Sequence, residues 1–429
     1  MMKYPKTSSV ISVELPPNLQ TELFLLGSNA SLELSSVLRD KFPGKRPWIV
    51  TDDIIYDIVA KNLFVLLQND GLNPFPPYIF TSQPCLHADN CHVEELFQAM
   101  PENAVPVSVG GGTINDFVKR VSFLKNLRYV CFPTACSVDG YTSAGAALVK
   151  NGFKQTLPCP APLAIVADVS VLEQAPSSMF ASGYADLAAK IPAGADWILA
   201  ESFGIEPIRH DVWNLVQKDL KSWLDHPEKM ENIFLGLAAT GYAMQWYKES
   251  RPASGAEHLF AHVLEMDGVD ASHGFKVALG TLLSTAMYEW LFWEESSGKM
   301  QNPLSREEHF ARIRNLLSSG HYGADAERIA MEKYSPAEKI YEQRETFSRL
   351  QKELAPRIKM QLIPFQELRK KFENVGAPVA LADLNLSKEH ALQAVQIAQL
   401  IRKRYTILDL LQELGLLEQA AEYAVNRLA

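Results

Sequence analysis

The 429-residue sequence lacks the usual marks of a secreted, membrane-spanning or polyanion-binding protein. Its N-terminus has no apolar core of the kind found in secretory signal peptides. The longest apolar stretch, residues 277–293, contains Ser284, Thr285 and Glu289, so it predicts a buried helix rather than a membrane span. With 41 Lys and Arg against 50 Asp and Glu, the net charge of −9 argues against binding to nucleic acid or to anionic membranes.

Cysteine is also scarce. The chain has five cysteines, an odd number, and no CxxC pair, which favours reduced thiols and a cytoplasmic location. One local group of cysteines and histidines could bind zinc, but its spacing fits no common zinc module, so we expect a loop without metal there; the group is Cys85, His87, Cys91 and His92.

The first 170 residues alternate short apolar runs with helical patterns. Strands are predicted at residues 46–51, 105–109, 128–133 and 163–169, and helices at 54–70, ended by Gly71, and at 114–125. Strands and helices that alternate at this spacing indicate βαβ units around a mostly parallel sheet. We therefore predict an α/β Rossmann-like domain over residues 1–172.

The remaining residues have helical periodicity throughout, which predicts an all-α domain over residues 173–429. The expected helices cover about 183–203, 211–224, 231–250, 256–266, 273–293, 306–319, 336–355, 364–374, 387–403 and 406–427. A boundary between two such domains is a usual place for a small-molecule cleft. The broad apolar faces of these helices favour a homodimer.

Three consecutive glycines lie between a predicted strand and a predicted helix. Gly110, Gly111 and Gly112 would let the backbone approach an anion such as pyrophosphate, and the helix N-terminus adds N–H donors. The same glycines could form a tight turn that binds nothing, because the GxGxxG spacing is absent. Asp52 and Asp53 follow another strand and could bind a ribose diol or cap the next helix; we expect at least one of them to cap.

A pair of histidines opens one of the predicted C-terminal helices. Ser254 and Glu257 match the S-x-x-E capping box, so Glu257 is predicted to cap this helix. His258 and His262 then share one face of its first turns. The positive helix end disfavours imidazolium, which would keep both histidines neutral and able to bind a metal ion.

Asp186, His258 and His273 together could form a metal site with two nitrogen ligands and one oxygen ligand. Each of them opens a helix or lies near the start of one, and Lys190 lies one turn after Asp186 on the same face. Three protein ligands with an open position are typical of a catalytic divalent ion, and this donor set suits Zn, Fe(II), Ni or Co. Taken singly, each histidine could equally be an ordinary core or surface residue.

Several motifs, in order along the chain, resemble one enzyme family. Gly110–Gly112 with Asp116, and PTACSVDGYTSAGAAL at 133–148, look like the NAD(P)-dependent sn-glycerol-1-phosphate dehydrogenases. SGYADLAAKIPAGADW at 182–197, SGAEHLFAH at 254–262 and HGFKVALGTL at 273–282 continue the match. Residues 402–417 are similar to the longer bacterial, AraM-like branch. The resemblance implies the dehydroquinate synthase-like fold that this family shares with iron-containing alcohol dehydrogenases.

The resemblance also assigns roles to individual residues. It implies that the NAD or NADP dinucleotide contacts Gly110, Gly111, Gly112, Asp116, Thr134, Ser137 and Ser143. It places Asp139 and His262 at the substrate, and it makes Asp186, His258 and His273 the ligands of one divalent ion (zinc, nickel or iron), with Asp186 also near the substrate. The implied reaction is reversible hydride transfer between NAD(P)H and dihydroxyacetone phosphate. For this reaction we expect His262, or a water that it holds, to relay the proton. Lys190 and Arg251 could offset the substrate's phosphate charge or could simply pair with a nearby carboxylate.

Two positions separate this sequence from neighbouring families. Iron-containing alcohol dehydrogenases have His where this chain has Lys190, and dehydroquinate synthases have Glu where it has Asp186. Both differences favour the glycerol-1-phosphate branch. The alternatives are a glycerol or polyol dehydrogenase, a synthase-type cyclase of the same fold, and an inactive relative that acts as a binding or regulatory subunit.

Overall fold

The computed structural model describes residues 9–82, 86–150, 153–294, 300–318 and 322–429, without the side chains of 150, 153–155 and 323–325. The described chain divides into two compact units. The N-terminal unit comprises Met1–Gly183 and Asp225–Glu249, and the C-terminal unit comprises Tyr184–Leu224 and Ser250–Ala429. The domain boundary predicted between residues 172 and 173 stays a prediction.

The N-terminal unit is built on a seven-stranded sheet. The described residues form these strands: β1 (Ser9–Ser12), β2 (Leu23–Ser28), β3 (Arg46–Asp52), β4 (Phe75–Phe80), β5 (Ala104–Gly110), β6 (Val130–Pro133), β7 (Ala146–Lys150), β8 (Phe153–Leu157) and β9 (Ala164–Asp168). The sheet order is β1-β2-β9-β6-β5-β3-β4, and β7 and β8 form a separate antiparallel hairpin. All pairs in the large sheet are parallel except β1 with β2.

The four predicted strands are confirmed as β3, β5, β6 and β9, although β6 begins at Val130 rather than at residue 128. Every residue of β5 and β9 is buried, as expected for strands covered on both faces. Strands β2 and β4 were not predicted. In β4 the run is interrupted by Pro76 and Pro77 and most residues are partly exposed, which the edge position of this strand permits.

Helices cover the sheet of the N-terminal unit and make up the C-terminal unit. They are α1 (Leu34–Lys41), α2 (Asp53–Ile55), α3 (Lys61–Asn69), α4 (Asn90–Ala99), α5 (Gly112–Leu124), α6 (Val169–Leu172), α7 (Ser177–Ala188), α8 (Lys190–Ser202), α9 (His210–Gln217), α10 (Leu220–Asp225), α11 (Met230–Tyr247), α12 (Ala256–Met266), α13 (His273–Phe292), α14 (Arg306–Leu316), α15 (Gly323–Glu332), α16 (Ala337–Gln361), α17 (Phe365–Val375), α18 (Lys388–Ala398), α19 (Ile407–Leu414) and α20 (Leu417–Leu428). A π-helical turn, Tyr56–Ala60, joins α2 to α3.

Most helix predictions are confirmed, with differences at their ends. The segment predicted at 406–427 is two helices, because Gly415 adopts φ +69° and ends α19 there. The segments predicted at 183–203 and 211–224 are each divided as well, and α15 was missed. In the part of the chain that the structure describes, every helix is too short or too polar to cross a membrane. An α/β sheet followed by a largely helical region confirms the predicted fold class.

Candidate functional site

The glycine turn lies at a point where the strand order of the sheet reverses. Strand β3 connects to β4 on one side, whereas β5, its neighbour on the other side, connects onward to β6. Val50 of β3 pairs with Ser108 of β5, so Asp52 and Gly110 end adjacent strands at the same edge. In parallel sheets, ligands bind in the crevice that such a reversal opens at the carboxyl ends of the strands.

The three glycines of this turn differ in what surrounds them. A Cβ atom at Gly110 would lie 2.8 Å from Cβ of Ile114, and one at Gly112 would lie 3.0 Å from Cγ2 of Val138. A Cβ atom at Gly111, the N-cap of the 13-residue helix α5, would meet no described atom within 4 Å. Gly110 and Gly112 therefore serve packing, whereas Gly111 leaves open space beside a helix N-terminus, which fits a bound pyrophosphate.

Replacing Gly111 with valine is expected to weaken NADH or NADPH binding by at least about tenfold, because the side chain would fill the space that a pyrophosphate needs. Its φ of −75° suits any residue, so the melting temperature should change by no more than roughly 4 °C. Fluorescence titration and thermal denaturation measure the two effects. Gly110→Ala, which must displace Ile114, should instead lower the melting temperature. Unchanged dinucleotide affinity in Gly111→Val would place the pyrophosphate elsewhere.

The acidic pair after β3 has structural roles. Asp52 caps α2, because its Oδ1 accepts a hydrogen bond from the backbone N–H of Ile55 at 2.9 Å. Asp53 Oδ1 accepts from the backbone N–H of Ser82 at 3.1 Å and from its hydroxyl, and the hydroxyl lowers the pKa of Asp53. The expectation that at least one of the pair caps a helix is confirmed. A contact between Asp52 and ribose stays a prediction.

Asp116 and a buried lysine hold the loop that follows β6. Lys119 is fully buried, and its Nζ donates to the carbonyl oxygens of Gly140 and Gly145, both at 2.9 Å, and to Asp116 Oδ1 at 3.2 Å. Asp116 Oδ2 accepts from the backbone N–H of Ala147 at 3.0 Å. Sequence reasoning missed Lys119, and the predicted contact between Asp116 and the dinucleotide stays a prediction.

The other predicted contact residues of this unit lie in or beside the same loop. Thr134 directly follows β6, and its N–H donates to the carbonyl oxygen of Gly110 at 3.2 Å, so it lies next to the glycine turn. Ser137 Oγ lies 3.1 Å from the hydroxyl of Tyr141, and Ser143 Oγ donates to Gly140. Asp139 opens the short 3-10 turn Asp139–Tyr141. The structure thus brings Thr134 to the glycine turn and gathers the other three within one loop.

The C-terminal unit brings Asp186, His258 and His273 together. His258 comes from the first turn of α12 and His273 is the first residue of α13, as expected. Asp186 instead lies in the last turn of α7, so the expectation that it lies near a helix start is wrong. One potential ligand atom of each residue lies within 4.8 Å of those of the other two. Asp186 and His258 are buried, at 1% and 6% exposure, whereas His273 is partly exposed. Because the carboxylate is buried and His273 is partly exposed, a substrate could approach the cluster from the His273 side.

Both histidines of this cluster are held by glutamates. His258 Nδ1 lies 2.8 Å from Glu257 Oε1, and His273 Nδ1 lies 2.9 Å from Glu265 Oε1. A carboxylate can only accept a hydrogen bond, so each Nδ1 carries a hydrogen and each Nε2 is the atom left to bind a metal ion. Nε2 of His258 lies 3.4 Å from Asp186 Oδ1. This arrangement is typical of metal-binding histidines, and with Asp186 it fits a divalent transition ion.

The predicted capping box at the start of α12 is wrong. Gly255, not Ser254, is the N-cap, and Ser254 Oγ instead donates to the carbonyl oxygen of Ser250 at 3.3 Å. The backbone N–H of Ala256 donates to Asp196 Oδ2 at 2.7 Å, so a residue distant in sequence satisfies the helix end. The predicted role of Glu257 at the helix start is confirmed, because its Oε1 accepts from the backbone N–H of Gly255 at 2.6 Å, and the same oxygen orients His258.

Lys190 forms a buried ion pair with the predicted metal ligand Asp186. Its Nζ lies 2.7 Å from Asp186 Oδ1, and the two side chains are 0% and 1% exposed. Burial alone would raise the pKa of Asp186, but the Lys190 ammonium and hydrogen bonding to His258 outweigh it and hold that pKa well below its usual range. Lys190 therefore keeps the carboxylate charged and ready to bind a cation.

His262 lies beside the cluster without belonging to it. Its side chain is 34% exposed, its Nδ1 lies 3.2 Å from Glu265 Oε2, and its ring centroid is 6.2 Å from that of His273. Loss of hydration lowers the pKa of His262 to about 4, as the expectation of a neutral side chain requires. For His258 burial acts in the same direction, but hydrogen bonding to Asp186 and Glu257 outweighs it and raises the pKa. For this histidine the expectation that imidazolium is disfavoured is therefore wrong.

Arg251 belongs to a buried network of backbone carbonyls and one carboxylate. It is fully buried, with its guanidinium donating to the carbonyl oxygens of Tyr405 and Asp196 at 3.0 and 2.8 Å and lying 3.2 Å from the carboxylate of Glu206. The alternative that Arg251 pairs with a nearby carboxylate is confirmed, whereas a role toward the substrate phosphate stays a prediction.

The alternative cysteine and histidine group gains no support from its described members. Cys85 lies outside the described residues. Cys91 is exposed, and the ring of His92 lies 3.4 Å from the carboxylate of Glu95. The expected loop is wrong for these two residues, because both lie in the first turn of helix α4.

Comparison with known proteins finds a matching family model, related sequences and related structures. The family model for iron-containing alcohol dehydrogenase matches residues 25–176. The glycerol-1-phosphate dehydrogenase [NAD(P)+] of Bacillus velezensis is 32% identical over 66% of this chain and 75% of its own length. The glycerol-1-phosphate dehydrogenase [NAD(P)+] of Bacillus licheniformis is 28% identical over 93% of this chain and 90% of its own length. The crystal structure of glycerol dehydrogenase from Schizosaccharomyces pombe superposes with a TM-score of 0.60 at 16% identity, over 93% of this chain and 88% of that one, which shows a shared fold.

Proposed function

The chain belongs to the glycerol-1-phosphate dehydrogenase family, and we propose that it interconverts sn-glycerol 1-phosphate and dihydroxyacetone phosphate with NAD(P) as hydride carrier. The observation that carries this proposal is the cluster of Asp186, His258 and His273, with Lys190 paired to Asp186. The lysine stands where the resemblance places a histidine in iron-containing alcohol dehydrogenases. The choice of substrate in this proposal rests on the sequence relatives and not on the shared fold.

In this proposal the cluster holds one divalent ion, either zinc, nickel or iron. When bound, such an ion supplies Lewis-acid polarisation of the oxygen at C2 of the substrate. The carboxylate of Asp186 is kept ionised by Lys190, and the Nε2 atoms of His258 and His273 are kept available by their glutamates. These contacts leave a charged carboxylate and two Nε2 atoms from which a bound cation would displace any remaining proton.

The chain's own proton acceptor is His262. Its Nδ1 hydrogen is held by Glu265, so its Nε2 can accept a proton from the C2 hydroxyl when the substrate is oxidised. The glycine turn at Gly111 would hold the dinucleotide by its pyrophosphate, and the dinucleotide would supply the nicotinamide that accepts the hydride from C2. Since His262 is 34% exposed, the proton can then leave to solvent, and the reverse reaction draws it back by the same route.

Three further parts of the proposal concern the cell and the assembly. We expect the enzyme to act in the cytoplasm, in keeping with the free thiols of Cys131, Cys136 and Cys159. We expect it to be a homodimer, as the apolar faces of its C-terminal helices favour. We expect NAD or NADP to carry the hydride.

The proposed function is tested by measuring both directions in parallel on purified protein reconstituted separately with zinc, nickel and iron(II). We expect NADH or NADPH to be oxidised with dihydroxyacetone phosphate, and the product to be refused by a dehydrogenase specific for the sn-glycerol 3-phosphate enantiomer. Turnover of free glycerol with NAD but none of the phosphorylated ketone would assign a glycerol dehydrogenase. Inactivity in every combination would indicate a binding or regulatory relative.

A further inference from the structure

One carboxylate touches two histidines of different proposed roles. Glu265 Oε1 lies 2.9 Å from Nδ1 of His273, and Glu265 Oε2 lies 3.2 Å from Nδ1 of His262. The glutamate side chain is only 8% exposed. We propose that Glu265 is a positioning residue that fixes the tautomers of a metal-binding and a proton-accepting histidine at once. This inference rests on the proposed function, which supplies those two roles.

The geometry requires the shared carboxylate to do both tasks. An imidazole has one hydrogen when it is neutral, and an ionised carboxylate offers only lone pairs. Both Nδ1 atoms must therefore carry the hydrogen, and both Nε2 atoms must carry the lone pair. His273 needs that lone pair for a cation, and His262 needs it to accept a proton from a hydroxyl group.

The positions along the chain explain how one residue reaches both rings. Glu265 follows His262 by three residues on α12, which places the two side chains on the same helix face. His273 begins α13, and its ring lies 6.2 Å from that of His262 at an interplanar angle of 29°. The third histidine, His258, has a glutamate of its own, Glu257, so it does not depend on Glu265.

Glutamine at position 265 separates the two tasks because it has the same shape but only one acceptor oxygen. That oxygen can hold one Nδ1 hydrogen, while the amide NH₂ can only donate to the other ring. Zinc binding favours turning the oxygen to His273. His262 must then present its Nδ1 lone pair to the amide and carry its hydrogen on Nε2. In that tautomer Nε2 can no longer accept a proton from the substrate.

The experiment measures zinc affinity and histidine tautomers in the full-length protein, neither of which needs turnover. Zinc affinity is taken from competition with a chromophoric chelator. The tautomer of His262 is taken from imidazole ¹⁵N shifts of histidine-labelled, zinc-loaded protein, with the His262 signals identified by their loss in His262→Ala. We expect Glu265→Ala to bind zinc about 10–100-fold more weakly than wild type. We expect Glu265→Gln to stay within about threefold and to show His262 with its hydrogen on Nε2.

Turnover supplies a third measurement that a merely structural role would not move. Glu265→Gln should lower kcat for dihydroxyacetone phosphate about as much as His262→Ala does, and adding it to His262→Ala should lower kcat no further. Glu413→Gln is the matched control: this glutamate is also in the C-terminal unit and accepts from the hydroxyl of Tyr405 at 2.7 Å, away from the cluster. We expect it to match wild type in all three measurements.

The inference is overturned if Glu265→Ala binds zinc as tightly as wild type, or if Glu265→Gln leaves the tautomer of His262 unchanged. It is also overturned if Glu265→Gln lowers kcat by the same factor in wild type and in His262→Ala. A Glu413→Gln variant that loses zinc as Glu265→Ala does would overturn it as well. Absence of zinc binding in wild type overturns it too. Normal zinc and tautomer results in a protein inactive on dihydroxyacetone phosphate would support the positioning role and reject only the proposed substrate.

Discussion

Replacing His273 with alanine is expected to abolish stoichiometric metal binding and to lower kcat/KM for dihydroxyacetone phosphate by at least about 10³-fold. The variant retains one imidazole and one carboxylate, too few for a stable catalytic site. Lewis-acid polarisation contributes several kcal/mol to the transition state, and about 4 kcal/mol corresponds to a factor of 10³. Metal content after gel filtration and steady-state kinetics measure the two effects. Asp186→Asn should behave in the same way.

His390→Ala is the matched control for this prediction. His390 also lies in the C-terminal unit near a helix start and also pairs with a carboxylate, Asp267, at 2.7 Å. Because that pair lies outside the cluster, the variant should keep its metal and its rate. If His273→Ala and Asp186→Asn both retained full metal and full rate, the proposed centre would be wrong.

The parts of the fold that the sequence predicted are those where one local pattern decides. Strands β5 and β9 are buried on both faces, so each is a continuous apolar run that only a covered strand explains. Helix α12 repeats its apolar residues with a helical period, and α13 is a long apolar run that is buried along most of its length. Both predicted starts are correct. The edge strand β4 was missed because partial exposure and two prolines remove that pattern.

The parts of the site that the sequence did not predict depend on contacts between distant residues. The S-x-x-E pattern at Ser254 suggested a local cap, but Asp196 satisfies the helix end across a separation of 60 residues. Lys119 looks like an ordinary surface lysine until loop carbonyls 21 and 26 residues away surround it. Glu265 was the exception, since its three-residue spacing from His262 could have revealed it.

The second large effect concerns Lys190. Replacing it with methionine is expected to destabilise the metal-free protein by about 3–5 kcal/mol, because the carboxylate of Asp186 stays buried without its cation. For a unit of this size that corresponds to a fall in melting temperature of roughly 6–20 °C. A bound divalent ion would supply the missing positive charge, so most of the loss should disappear in metal-loaded protein. Thermal denaturation with saturating metal and with chelator measures both states.

Lys119→Met separates an effect of the metal from the loss of any buried lysine. Lys119 is equally buried and also pairs with an aspartate, Asp116, but it lies in the N-terminal unit, whereas the proposed ion binds in the C-terminal unit. The melting temperature of Lys119→Met should therefore fall below that of wild type by the same amount with metal and with chelator. If the melting temperature of Lys190→Met also fell equally with metal and with chelator, no cation could be replacing the ammonium beside Asp186. A loss confined to the metal-free protein would instead show that the ion and Lys190 neutralise the same carboxylate.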